Sequence, residues 1–223
     1  MSAALEARGL TKTYRRGPEE VVALDDVSFS VSPGEVVALV GPSGSGKTTL
    51  LNVVSGWEHA DEGTMLLGGG TYEPWKTPLP WASLAIVPQS LGLIDDLTIG
   101  ENVMLPLRLG GGSPDRAGEL MDRLDLTAVA ERMPGGLSLG EQQRAAVARA
   151  LVVSPALLLA DEPTGHQDAE WLVRVVEALR GAAQEGSACL LATHSAEVLE
   201  LVDRVLEMRD GRMAEGAGSA SSV

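Results

Sequence analysis

The chain has 223 residues, 44% of them hydrophobic, which is enough to bury one substantial core and argues for a single domain with a subdomain. A formal net charge of -14 excludes nucleic acid and anionic lipid as direct partners, because both would repel the chain over the screening distance. No stretch approaches the run of about 18 apolar residues needed to cross a bilayer, Met1 to Gly9 lacks the regions of a signal peptide, and the lone Cys189 cannot form an internal disulfide, so a cytoplasmic chain that reaches a membrane only through another protein is expected.

In chain order, the first third shows short alternating segments at Val21 to Leu24, Val27 to Val31 and Thr64 to Leu67, separated by glycine and proline turns, which predict an antiparallel layer. Near-continuous apolar runs then recur at Val36 to Val40, Leu84 to Val87, Ala156 to Ala160, Cys189 to Ala192 and Val205 to Met208. Such runs suit strands covered on both faces, as in a parallel α/β sheet. Helical patterns at Lys47 to Ser55, Leu139 to Val153, Asp168 to Ala183 and Ala196 to Val202, the last opened by Ser195 as N-cap, alternate with these strands and favour βαβ units. Helical periodicity from about Thr98 to Met133, broken at Gly110, Gly111, Gly112 and Pro114, reads as a helical subdomain inserted in the core. Residues 216–223 are small and polar and read as a frayed tail.

Gly41-Pro42-Ser43-Gly44-Ser45-Gly46-Lys47-Thr48 lies between an apolar strand and a helix, in the pattern of a loop whose backbone N–H groups close around phosphates. Lysine occurs only at Lys12, Lys47 and Lys76, and Lys47 stands where a point charge would meet the β- and γ-phosphates. Thr48 offers a hydroxyl to Mg²⁺, and Thr49 follows it into the helix whose positive end faces the nucleotide. Farther on, Leu157-Leu158-Leu159-Ala160-Asp161-Glu162 places two acids at the carboxyl end of a buried strand, where open α/β sheets bind ligands. Asp161 would hold Mg²⁺ and Glu162 would orient or deprotonate the attacking water. Taken alone, the pair could equally be solvated carboxylates after a core strand.

Leu137-Ser138-Leu139-Gly140-Glu141-Gln142-Gln143-Arg144 resembles the signature motif of the ATP-binding cassette (ABC) ATPases. The resemblance implies a phosphate-loop ATPase fold: a parallel-sheet core, an N-terminal antiparallel β layer and an inserted helical subdomain at about residues 90–150, all within one domain of residues 1–215. It further implies ATP and Mg²⁺, and two cassettes packed head to tail, a homodimer or a pair of different ATPase subunits, with Ser138 and the Gly140 backbone of one facing the γ-phosphate held by the other. Ser138 and Glu141 also form a capping box, which would start a helix whether or not it meets a phosphate. Other positions match the same family. Tyr14 resembles the aromatic residue that stacks on adenine, Gln89 the glutamine that meets metal and attacking water, and His194 the histidine that contacts the γ-phosphate. Asp168 resembles the acid that communicates between the two sites, although a helix N-terminal acid is also its ordinary reading. The sequence departs from the family pattern at Leu139, where glycine is usual, and at His166 and Gln167, where asparagine and leucine are usual.

Within the family, Gln89 to Leu107 with Glu101-Asn102-Val103 is similar to the ATPases of lipoprotein-releasing and macrolide-exporting systems. This implies the ATP-hydrolysing motor of an exporter, on the cytoplasmic face of the membrane and coupled to a membrane permease through Gln89 to Leu97, with Leu91, Leu93, Ile94 and Leu97 as candidate docking residues or, equally, as core of the subdomain. The alternative is an ATP-dependent regulatory or assembly module that signals to a membrane protein without moving a substrate. A soluble ABC ATPase of DNA repair or translation would call for a coiled-coil insertion, a second cassette or a basic surface, none of which the sequence contains.

Overall fold

A computed structural model describes residues 3–74, 76, 79–80, 82–165 and 169–214. The chain enters as two long strands, β1 (Leu5–Arg16) and β2 (Glu19–Val31), which pair antiparallel and continue through β4 (Glu62–Leu67) and β5 (Gly70–Thr71) into a four-stranded sheet of order β2-β1-β4-β5. The second sheet holds β3 (Val36–Val40), β6 (Leu84–Val87), β7 (Leu157–Asp161), β8 (Ala188–Ala192), β9 (Arg204–Arg209) and β10 (Arg212–Met213) in the order β10-β9-β3-β8-β7-β6. It is parallel from β9 to β6, and only the β9–β10 hairpin, turned at Asp210 and Gly211, runs antiparallel.

The apolar runs are continuous because each strand feeds two cores. Val36, Leu158, Ala160, Cys189 and Leu191 face the helices α2 (Ile99–Gly110), α3 (Asp115–Arg123), α4 (Leu139–Leu151) and α5 (Ala169–Gln184). Their strand neighbours Val37, Leu39, Leu157, Leu159 and Leu190 face α1 (Lys47–Ser55) and the antiparallel sheet. Alternation of side chains along a strand therefore places apolar residues on both faces. Cys189 is one of them, fully buried, its thiol pushed up to about 12 by burial.

The antiparallel layer is larger than its sequence pattern indicates. Val21 to Leu24 and Val27 to Val31 belong to one strand, and β1 beside them has no counterpart among the predicted segments. The cause is a pair of facing irregularities. Gly9 (φ 61°) and Asp26 (φ 54°) both take left-handed backbone conformations where the β1–β2 register shifts, so the alternation Leu5, Ala7 slips to Leu10 and loses its period of two.

Between α2 and α4 the segment from Leu124 is irregular, with 3₁₀ turns at Thr127–Val129 and Pro134–Gly136. Capping boxes at Thr98 and Ser138 open α2 and α4, each contributing about 1 kcal/mol of helix stability. Ahead of α2, the loop from Leu91 to Leu97 is held at its start by Arg149, which donates to the carbonyls of Leu91 (2.9 Å) and Gly92 (2.6 Å), and from Ile94 onward by the buried Asn102. The Asn102 amide donates to the carbonyls of Ile94 (3.0 Å), Leu97 (3.1 Å) and Thr98 (3.0 Å) and accepts from the Ile94 N–H (2.8 Å). The last predicted helix stops early, as α6 (Ala196–Leu199), and Asp203 then accepts from the Val36 N–H (2.8 Å) where β9 joins β3. No helix among the described residues is long and apolar enough to cross a membrane. Residues 216–223 lie outside the described residues.

Candidate functional site

Four adjacent parallel strands, β3, β8, β7 and β6, end at one edge of the sheet, and each delivers one part of the site. Gly41 to Gly46 follow β3, Thr193 and His194 follow β8, Asp161 ends β7 with Glu162 just after it, and Gln89 follows β6. A cavity of about 520 Å³ at this edge is lined by Gly41, Ser43, Gly44, Gly46, Lys47, Thr48, Thr49, Gln89, Asp161, Glu162 and His194, with Val21, Val22 and Ala23 of β2 as its apolar wall.

The loop is built for close backbone approach. Gly41 (φ 151°) and Gly46 (φ 105°) lie in the range that favours glycine, and a Cβ on either would strike backbone, the Met208 carbonyl for Gly41 and the Ala23 carbonyl for Gly46. The N-cap residue of α1 is Gly46, which has no side chain to cap the helix, so the first N–H groups of α1 and the positive end of its dipole are left to a ligand at the cavity. Ser45 is 2% exposed, and its Oγ has no hydrogen-bond partner among the described residues. An orphaned hydroxyl in a glycine cradle that a Cβ would fill, beside uncapped amides, fits a bound phosphate chain.

Lys47 Nζ donates to the carbonyls of Gly41 (2.8 Å) and Pro42 (3.0 Å), which places its charge along the inner wall of the loop. Thr48 Oγ1 donates to Asp161 Oδ2 at 2.8 Å, so hydroxyl and carboxylate share one point in space although 113 residues separate them. Burial is the main influence holding the Asp161 carboxyl above its ordinary range, reinforced by Glu162 and opposed by Thr48 and Lys47. Among the described residues no three His, Cys, Asp or Glu side chains cluster as a metal cage. One hydroxyl, one carboxylate and the Gln89 amide suit Mg²⁺, which keeps most of its waters and takes oxygens from phosphate.

A carboxyl whose folded pKa is raised is easier to protonate in the folded than in the unfolded chain. Its stability penalty is absent below the unfolded pKa and fully present above the folded one. Asp161→Asn is therefore expected to raise the melting temperature at neutral pH, without nucleotide or Mg²⁺, by about 2 °C or more, while a scan near pH 3 shows little difference. Thermal melts at the two pH values check this.

Glu162 follows β7 in a left-handed conformation (φ 52°) that costs an L-residue on the order of 1 kcal/mol. Its backbone is held on both sides: its N–H donates to the Ala192 carbonyl (2.9 Å), and its carbonyl accepts from the Gly165 N–H (3.1 Å) and the Gln143 amide (2.5 Å). The side chain, 19% exposed, meets His194 Nδ1 at 2.8 Å, and the imidazole itself is 78% exposed at the cavity mouth. This pairing gives Glu162 a fixed direction and can hand a proton between carboxylate and ring.

Two groups of predicted residues stand apart from the cavity lining. Tyr14 lies on β1 opposite Val21, with its hydroxyl hydrogen-bonded to Glu58 and Lys12 5.6 Å from the ring centre; the apolar wall comes instead from Val21 and Val22. Ser138 and Gly140 open α4, also outside the cavity lining, with Ser138 Oγ 2.7 Å from Glu141 Oε2. Leu139 is the first residue of α4 in ordinary helical geometry, with a side chain 54% exposed, so the helix forms without glycine there. Asp168, His166 and Gln167 lie outside the described residues. Of the contributors that sequence reasoning missed, Val21 and Val22 carried no local signal, since their approach to the phosphate loop is tertiary. Gln143 carried a faint one, an amide on the helix face that also buries Val147 and Ala150.

A phosphate cradle, a threonine–aspartate pair and a carboxylate aimed across them define a phosphate-loop nucleoside triphosphatase. The chain belongs to the ABC transporter family, whose model matches residues 24–165. It is 40% identical over 221 residues to the lipoprotein-releasing system ATP-binding protein LolD of Gluconobacter oxydans, covering 95% of this chain and 96% of that one. It is 41% identical over 219 residues to the protein of the same name from Bordetella pertussis, covering 94% and 95%. Among solved structures it resembles the dimeric post-hydrolysis state of the ATP-binding cassette MJ0796 bound to ADP and Pi. The TM-score is 0.89 at 31% identity, with 98% of this chain and 100% of that chain covered. The expected fold and enzyme class hold: the protein is an ATP-hydrolysing cassette that uses Mg²⁺ and serves as the motor subunit of a transporter.

Proposed function

We propose that this cassette drives a membrane permease of the lipoprotein-releasing type, closing with a second cassette around ATP and opening after hydrolysis. The observation that carries the reading is the convergence of Lys47, Thr48–Asp161 and Glu162–His194 on one cavity, together with near full-length similarity to relatives named for lipoprotein release. In this reading the loop amides and Lys47 hold the β- and γ-phosphates, with Ser43, Gly44 and Ser45 inside the cradle and Thr49 just behind it. Thr48, Asp161 and Gln89 hold Mg²⁺, which when bound neutralises charge developing on the phosphates. Glu162 orients and deprotonates the attacking water, and His194 steadies it and contacts the γ-phosphate.

Tyr14 contributes an aromatic face for adenine beside the valine wall. Ser138 and Gly140 open a helix away from this chain's own cavity, so the phosphate they meet belongs to another cassette, and Asp168 carries the link between the two sites. The assembly sits on the cytoplasmic face of the membrane through its permease.

The loop before α2 is the coupling surface. Its four candidate leucine and isoleucine positions separate in the structure: Leu91 is buried in the core, Leu93 and Leu97 are partly buried, and Ile94 is 42% exposed. Ile94→Asp is therefore expected to abolish co-purification with the permease while leaving the Mg²⁺-dependent ATPase rate of the isolated cassette within about twofold, as surface substitutions generally do. Retained permease binding would move the coupling surface elsewhere. The function itself is tested by reconstituting cassette and permease in vesicles that carry a lipid-modified protein. ATP-dependent release that Glu162→Gln abolishes supports the reading, whereas ATP turnover with no release of a lipidated substrate overturns the lipoprotein assignment.

A further inference from the structure

Although it opens away from the cavity, the signature helix touches the main chain of one residue of this chain's own site. Gln143, one turn beyond Ser138 and 2% exposed, donates from Nε2 to the carbonyl oxygen of Glu162 at 2.5 Å. That carbonyl belongs to a residue in a left-handed conformation, whose own N–H is tied to Ala192 of β8 and whose carboxylate meets His194. The Gln143 amide, the Gly165 N–H (3.1 Å) and the Ala192 carbonyl together hold the main chain of Glu162, and Gln143 is the tie that comes from the signature helix, so a shift of that helix moves the Glu162 backbone and with it the carboxylate.

The next residue makes the connection rigid. Arg144, 6% exposed, donates to the Leu124 carbonyl at 2.9 Å and stacks 4.0 Å above the Trp171 ring of α5, while Arg174 lies 4.7 Å from the same ring. The first two turns of α4 are thereby clamped to the helical layer and to α5, and a displacement applied at Ser138 is carried to Gln143 without a hinge between them.

We propose that Gln143 is a positioning residue that couples the two ATP sites of a cassette pair: contact of Ser138 with the other cassette's nucleotide sets α4, and Gln143 converts that setting into the orientation of Glu162 in its own cavity. The inference rests on the assignment of Glu162 to the attacking water. It requires Gln143 to act through Glu162 and through nothing else in the chemical step.

Four proteins test it by steady-state ATP hydrolysis and nucleotide titration: the unaltered chain, Gln143→Met, Glu162→Gln and the double variant. Methionine keeps the length and packing of the side chain and removes the donor. Gln143→Met is expected to lower kcat by about a hundredfold, as misplacement of a reacting group by about 1 Å does, with the Kd for ATP unchanged and the melting temperature lowered by no more than the few degrees that a lost buried hydrogen bond costs. In the double variant the rate should be no lower than in Glu162→Gln alone, because the orientation of an amide that cannot take a proton no longer matters.

An unchanged kcat in Gln143→Met, or a double variant slower than Glu162→Gln by the same factor seen in the single variant, overturns the proposal and leaves the role of Glu162 standing. A Glu162→Gln protein with undiminished turnover overturns both. Should Gln143→Met fail to fold, Gln143→Asn, whose shorter amide cannot span the same distance, is read by the same criteria.

Discussion

Glu162→Gln is expected to lower Mg²⁺-dependent ATP hydrolysis by roughly 10²–10⁴-fold, the range that a positioned general base supplies, while ATP binding stays intact. The amide fills the same space as the carboxylate and can still reach His194 Nδ1 at the 2.8 Å found for Glu162, so the cavity keeps its shape and loses only an acceptor for the water proton. Because hydrolysis is blocked after nucleotide has bound, a cassette pair that closes around ATP should accumulate. Light scattering on the purified variant is expected to show its mass doubling on addition of ATP and Mg²⁺ and returning when both are removed. A persistent monomer with demonstrated ATP binding would mean that two copies of this chain do not close unaided, and that the membrane partner, a signature with glycine restored at Leu139, or a different cassette is needed to close the site.

The second large effect is expected at Lys47. Lys47→Ala removes the positive charge from the inner wall of the loop and the two donors that tie the Gly41 and Pro42 carbonyls. Truncating one partner of a desolvated charge pair costs about 3 kcal/mol, which corresponds to about a hundredfold in the Kd for ATP. Calorimetric titration is the measurement. Glu162→Gln and Lys47→Ala should separate cleanly, the first keeping affinity and losing turnover, the second losing affinity and with it the ATP-dependent doubling of mass. An unchanged Kd would mean that the loop amides and Ser45 bind the phosphates without the lysine.

Most of the parallel core and the phosphate loop were legible in the sequence because their information is local. Val36 to Val40, Leu84 to Val87 and Lys47 to Ser55 form their elements where the apolar runs and the glycine loop put them. The pairing of Thr48 with Asp161 was implied by chemistry, since both were assigned to one metal, and the strand order β3-β8-β7 brings them together. What escaped was non-local. The β1 strand was hidden by the shift at Gly9 and Asp26, a feature of two strands jointly, and the short α6 ends where Asp203 is needed against β3. Gln143 passed as one polar residue in a polar motif, because its value lies in a carbonyl 19 residues away that only the fold brings near.

Asn102 shapes the loop before α2 entirely through backbone atoms, holding Ile94, Leu97 and Thr98 by their main chain. The shape of that loop is therefore uncoupled from the identity of its outward side chains. Ile94, Asp95 and Asp96 are exposed and can be exchanged without dismantling their mount. A lineage of such motors could be refitted to one permease after another by drift at these three positions, each intermediate still folded and still able to turn over ATP. Loss of the single asparagine, in contrast, would remove that freedom at all three positions at once.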